Sequence, residues 1–220
     1  MDFLVALRQA LAELHQNIEQ TALARRMFQG GITRQEYLPL LSQMGHIHQE
    51  LEQALESSGL PSALLNCAHL DRCVMIGRDL AVWGEDVPAP LAATAMLLRD
   101  IQQWSHYSPW SLVGCLYVLE GSRMGATYLV RPLAAGLGIE AQLGSGLDYY
   151  LDGLSEQPTT WKAFKTSLAE LSLEAPQQAA IIQAAVVTMQ WLLELYQDLA
   201  PTVELSQTVY LAGASQTAIS

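Results

Sequence analysis

The amino-acid sequence predicts an all-α, single-domain protein, and three observations predict it. Half of the 220 residues are hydrophobic and only 15% are charged, enough apolar surface for one large core without a second domain. Leu and Ala recur at helical spacing over long stretches that carry neither Gly nor Pro. No convincing run of strand residues, internal repeat or low-complexity block interrupts them.

Residues 3–28 read as one helix, with Leu4, Leu7, Leu11, Leu14, Ile18 and Leu23 at roughly helical spacing. Asp2 can cap its start, and Gly30-Gly31 ends it. Thr33-Arg34-Gln35-Glu36 is a capping box that opens a second helix running to about residue 57. Ser58-Gly59-Leu60-Pro61 turns the chain, a third helical region covers about 62–83, and Pro88 and Pro90 break it. A fourth helix spans about 90–105. Ser108-Pro109 is an N-cap with proline at the first helical position, starting a long helix from 109 to about 136. After a looser region around Gly144-Ser145-Gly146, two further helices cover about 158–172 and 175–199. Pro201 ends the last, and a frayed or mobile tail to Ser220 is expected, giving a domain of 1–200 and a tail of 201–220.

The formal net charge of −11 argues against a general nucleic-acid binder and against an anionic membrane surface as main partner. An acidic redox partner would need a local basic patch, because the average field repels it. The N-terminus has no basic region ahead of an apolar run, so it does not read as a signal peptide. The apolar stretch from Ser111 to Leu137 is broken by Glu120, Arg123 and Arg131, so no membrane span is expected there. Cys67, Cys73 and Cys115 are odd in number and form no CxxC pair, which fits reduced thiols and a cytoplasmic location.

Few residues carry a chemical signal. There is no HExxH, no Cys/His zinc spacing, no Gly-rich phosphate loop and no GxSxG. His46 and His48 point in different directions on a helix and do not make a two-ligand face. His15 and Glu19 stand four apart on one helix face, where a carboxylate can orient an imidazole that ligates a metal. A solvated pair or a satisfied core histidine is the plainer reading of that spacing alone. Gly121 and Gly125, with Gly114 earlier, sit inside the long helix, although each interior Gly costs about 1 kcal/mol relative to Ala. Two glycines on one face let something flat approach the backbone; close helix packing or a kink explains them equally well.

The chain resembles the haem oxygenase family over most of its length. The resemblance rests on five segments in order. They are Leu7-Arg8 … Leu14-His15 … Glu19 with the following Phe28 to Tyr37; Met44 to Glu52; Arg78 to Trp83; Tyr117-Val118-Leu119-Glu120-Gly121-Ser122-Arg123-Met124-Gly125-Ala126; and Trp161-Lys162-Ala163-Phe164. The fourth looks like the distal helix of the bacterial branch. The resemblance implies a multi-helix bundle with haem between proximal and distal helices. It implies oxidative cleavage of haem to biliverdin, iron and carbon monoxide. His15 would be the proximal iron ligand and Glu19 would steady its other nitrogen. Gly121, Ser122 and Gly125 would form the distal face that directs dioxygen toward a ring carbon. Arg8, Lys162 and Lys165 would meet the anionic propionates, and Tyr117 could add a hydroxyl. Implied partners are haem, O2, an electron donor such as ferredoxin or a flavin/NADPH-dependent reductase, and a bilin-accepting phytochrome.

Two positions depart from the family pattern. Ser122 stands where mammalian-type members carry an Asp, and Ala126 where many carry a second Gly. The first departure keeps open a haem carrier or sensor without turnover. A di-iron oxidase or a thiaminase-like enzyme on the same scaffold are further alternatives. No Glu-x-x-His pair accompanies Glu19, Glu50 and Glu120, and Cys115 lies in an apolar helix where a raised thiol pKa is expected.

Overall fold

The computed structural model describes residues 2–68, 70–84 and 87–200. The expected tail at 201–220 lies outside them. Among the described residues all regular structure is helical, as the apolar periodicity requires.

Helix α1 (Phe3–Glu19) starts where Asp2 accepts the Val5 amide at 3.1 Å. It stops well short of residue 28. The Thr21 hydroxyl donates to the Ile18 carbonyl at 2.8 Å and accepts from the Ala24 amide at 3.2 Å, closing one helix and capping the next. Helix α2 (Ala22–Gln29) then turns to bury Leu23, Ala24 and Met27, and Gly30 ends it at φ +72°. Helix α3 (Arg34–Glu56) begins with Glu36 reaching back to the Thr33 amide at 2.9 Å, as the capping box predicts. The other Glu36 oxygen pairs with Arg26, which lets a carboxylate with only 2% exposure stay there.

The expected helix over 62–83 is two pieces, α4 (Ser62–Leu65) and α5 (Arg72–Trp83). The start of α5 is capped from another helix. Glu52 on α3 accepts the amides of Arg72 (2.8 Å) and Cys73 (3.2 Å), a tertiary cap that local sequence does not show. Helix α6 (Ala92–Tyr107) follows the prolines. The long helix expected from 109 is α7 (Pro109–Ser122), a short 3₁₀ turn (Arg123–Gly125) and α8 (Ala126–Leu137). The Ser122 hydroxyl donates to the Leu119 carbonyl at 2.7 Å, a back-bond of the kind that bends helices. Short α9 (Asp148–Leu151) is capped by Asp79 of α5, which accepts the amides of Asp148 (2.7 Å) and Tyr149 (2.9 Å). Helices α10 (Gln157–Glu170) and α11 (Ala175–Asp198) complete the described chain.

Helix α11 is the floor of the bundle, and α1, α6 and α7 all pack on it. It buries Ile181, Ala184, Ala185, Met189, Leu192 and Leu195. Its length and mean hydropathy of 1.4 are also those of a membrane span. Three helices packed against it explain the same apolarity as that of a core helix.

Candidate functional site

His15 lies on the open face of α1, its side chain 62% exposed, with Nδ1 3.5 Å from Glu19 Oε1. If Nδ1 carries the proton toward Glu19, the Nε2 lone pair faces outward and free. A metal ligand needs that arrangement, with a carboxylate fixing the tautomer from behind.

A second group gathers where α1, α7 and α10 converge. The Tyr117 ring stands 4.9 Å from Trp161, which stacks on Phe164 with centroids 5.7 Å apart. The Lys165 ammonium lies over the Trp161 ring at 5.3 Å, within cation–π range. Burial raises the Tyr117 pKa, and the Arg8 guanidinium opposes that rise. Tyr117 is therefore a neutral hydroxyl beside a cation. Tyr117, Trp161 and Lys165 thus come together, with Arg8 in electrostatic reach of Tyr117, although they are far apart in the chain. Lys162 is exposed on the same helix.

The three glycines do different work. A Cβ at Gly114 would overlap the Ile181 carbonyl oxygen and lie 2.8 Å from the Ala185 amide; here glycine serves the packing of α7 on α11. At Gly121 a Cβ would meet the edge of Trp161 at 3.4 Å, an ordinary contact. At Gly125 it would meet nothing within 4 Å. Gly121 belongs to α7 and Gly125 ends the 3₁₀ turn after it, so the two glycines do not share one continuous helix as expected from spacing. Gly125 is the backbone that stands open. Ser122 is exposed, its hydroxyl engaged by Leu119.

Sequence reasoning counted Trp161 as part of a motif and missed it as the centre of this group. Its place in the Trp-Lys-Ala-Phe segment was the available signal. The buried cluster behind the 3₁₀ turn was missed entirely. Arg72, Arg123, Asp152, Glu120 and Gln157 meet there, with His48 and Tyr149 beside them. Burial and the two arginines push the His48 pKa down to about 3, so it is neutral. Burial holds Asp79 up at about 6 against the amides it accepts.

Other chemistries find less support. Among the described residues no group of three or more His, Cys, Asp or Glu could hold a metal ion. Burial pushes the Cys115 thiol up to about 12 and, with Glu52, the Cys73 thiol to about 11, which disfavours a thiolate nucleophile. A cleft of about 830 Å³ between α6 and α11, walled by Trp104 and Trp191, contains none of the predicted site residues.

Residues 1–198 match the family model described as heme oxygenase. Among curated proteins no match was found. The fold is similar to that of the heme oxygenase from Leptospira interrogans, at TM-score 0.79 and 20% identity, covering 90% of this chain and 100% of that one. It is also similar to heme oxygenase-1 from the cyanobacterium Synechocystis sp. PCC6803 in complex with heme, at TM-score 0.82 and 14% identity, covering 97% and 99%. A domain of unknown function with a heme oxygenase-like fold from Shewanella denitrificans OS217 matches at TM-score 0.72 and 16% identity, covering 94% and 95%. At these identities the solved structures establish the fold, while chemistry has to be argued from the site.

Proposed function

Because the chain belongs to the haem oxygenase family, we propose that it binds haem through His15 and cleaves it oxidatively to biliverdin, ferrous iron and carbon monoxide, using O2 and an external electron donor. The observation that carries the reading is the His15–Glu19 pair, an exposed imidazole with a carboxylate 3.5 Å from one nitrogen; the family resemblance implies that this histidine is the proximal ligand.

The residues present fit haem. Gly125 offers backbone that a flat ring can approach without meeting a side chain. Arg8 and Lys165, gathered around Tyr117 and Trp161, are cations placed for carboxylates, and exposed Lys162 extends them. Tyr117 remains protonated and can donate. Bound haem supplies the oxygen-binding and redox chemistry, and the chain supplies orientation and polarity. His15 would hold the iron, and Gly121 and Gly125 would let α7 and the following turn approach the ring closely. The donor is of the ferredoxin or flavin/NADPH-reductase class. A phytochrome is a candidate acceptor for the bilin, and the cytoplasm is the proposed setting.

A second reading, a haem carrier or sensor, has one specific observation in its favour. Position 122 holds no carboxylate, and its hydroxyl is already bonded to Leu119. One experiment separates the two. Hemin is titrated into the protein and into His15→Ala, and ascorbate or a ferredoxin reducing system is then added in air. A one-to-one Soret band, absent in the variant and decaying to red biliverdin absorption, supports the enzyme. A band that persists under reduction supports the carrier. An unchanged band in His15→Ala refutes the ligand assignment.

A further inference from the structure

We propose that Arg123 is a positioning residue that holds the 3₁₀ turn presenting Gly125 at a fixed distance from bound haem, an inference that rests on the haem reading above. Arg123 lies inside the turn, which interrupts what would otherwise be a continuous helix from α7 to α8. Its side chain is buried, at 7% exposure, and points away from solvent into the body of the protein. Nη2 donates to the Asp152 carbonyl at 2.8 Å, and Nη1 stands 3.5 Å from Glu120 Oε2 at the end of α7. The turn is thereby tied to the segment after α9.

That segment is itself tied down. The Asp152 carboxylate pairs with Arg72 Nη2, and Arg72 Nη1 donates to the Tyr149 carbonyl at 3.3 Å. Arg72 is 1% exposed and sits at the start of α5, where Glu52 of α3 accepts its amide. Gln157, at the start of α10, donates from Nε2 to the Glu120 carbonyl at 3.1 Å, taking an acceptor in the last turn of α7. A chain of bonds therefore runs from α3 through Arg72, Asp152 and Arg123 to the turn, and a second arm runs from α10.

The energetics favour a role in geometry over one in stability. Two guanidinium groups and the Glu120 carboxylate are buried beside the half-buried carboxylate of Asp152. Arg72 Nε, Gln157 Oε1 and Arg123 Nη1 are buried without a hydrogen-bond acceptor or donor in the protein. A partly satisfied buried ionic cluster stabilises a fold less than apolar residues of the same volume would. What it confers is one position for the groups it joins. The joined group here is the short stretch of backbone with open space at Gly125, where a shift of about 1 Å costs on the order of 100-fold in rate when reacting groups must be aligned.

The test uses the full chain, with Arg123→Gln, the conservative Arg123→Lys, and Asp152→Asn, whose side chain lies nearer the surface. The haem-free proteins are compared by amide hydrogen exchange. The loaded proteins are compared by hemin affinity, by the absorption spectrum and acid dissociation of the ferric haem's water ligand, and by the isomer composition of the bilin formed. In Arg123→Gln, exchange over residues 122–128 speeds up while α1 is unchanged. Hemin affinity stays within about threefold, the water-ligand titration shifts, and conversion falls about tenfold or more or yields mixed isomers. Arg123→Lys recovers part of each effect, and Asp152→Asn falls between. If Arg123→Gln loses stability yet keeps the wild-type water-ligand titration, rate and isomer, Arg123 is merely structural and the proposal is wrong. If it does not fold, the same unchanged readouts in Asp152→Asn and Arg123→Lys overturn the proposal. A wild-type chain that gives no Soret band overturns the haem reading and this assignment with it, which separates that failure from the first.

Discussion

Gly114 lies in α7 and Gly125 in the 3₁₀ turn that follows it, and the structure assigns them opposite consequences on substitution. In Gly114→Ala the new methyl overlaps the Ile181 carbonyl oxygen and presses on the Ala185 amide, both backbone atoms of α11. Backbone cannot swing aside, so α7 and α11 must separate, and overpacking of this kind costs about 1–3 kcal/mol, here toward the upper end. For a chain of this size that is a fall in Tm of about 5–10 °C. In Gly125→Ala the methyl meets open space, and the backbone, at φ −73° and ψ −20°, already suits any L-residue. Removing glycine's freedom there is neutral or gains up to about 1 kcal/mol. Gly125→Leu fills the same space and blocks haem. Thermal and urea unfolding of the haem-free proteins, followed by far-UV circular dichroism, gives the first comparison, and hemin titration gives the second. The expected pattern is an unstable Gly114→Ala that still binds hemin in proportion to its folded fraction, and a stable Gly125→Leu that does not. A Gly125→Leu protein as unstable as Gly114→Ala, or one with wild-type hemin affinity, would refute the reasoning.

Three further outcomes are expected. The double variant Arg8→Glu, Lys165→Glu should weaken hemin binding by about tenfold or more, because two charge-assisted contacts become repulsive; unchanged affinity with a single unchanged bilin isomer would remove both residues from the site. Glu19→Gln should lower hemin affinity by about 10- to 100-fold while leaving stability unaltered, since Glu19 is exposed and acts on Nδ1 of His15; titration beside wild type checks it. His48 should make the protein acid-labile. Its pKa is depressed to about 3 by burial, Arg72 and Arg123, with Glu52 3.8 Å from Nδ1 and Tyr149 on Nε2, so its stabilisation is present above pH 6.5 and is lost as pH falls toward 3. Between pH 7.5 and 5 that loss is about 2 kcal/mol. Asp79, raised to about 6, acts in the opposite sense, its contribution lost as pH rises through 6. The informative quantity is therefore the difference between wild type and His48→Gln in urea midpoints at the two pH values. Parallel pH profiles would contradict the assignment.

The legible part of this protein is what neighbours in the chain decide. Asp2, the Thr33–Glu36 box, Gly30 and Pro109 act within a few residues of where they stand, and each begins or ends its helix where the sequence places it. Apolar spacing predicted an all-helical core, and the His15–Glu19 pairing is a property of one helix turn. Where expectation failed, a distant partner or a competing side chain intervened. The helix expected over 62–83 divides because Glu52, some twenty positions back in the chain, caps Arg72 and Cys73. The helix from 109 divides at a turn pinned by Asp152. The helix from 3 divides because the Thr21 hydroxyl bonds both sides of the break, a local signal hidden by continuous apolar periodicity.

The sequence by itself therefore determined the helices, most of their caps and the histidine with its carboxylate, because those depend on contacts within a turn or two. Only the tertiary structure decided that Gly114 serves packing while Gly125 stands open. Only it brought Tyr117, Trp161 and Lys165 to one place, with Arg8 in electrostatic reach of Tyr117, and lashed the 3₁₀ turn between α7 and α8 to a segment about thirty residues on. The physical reason is that burial and pairing belong to surfaces that meet only when the helices pack, and which face of a helix meets which neighbour is not written in its spacing.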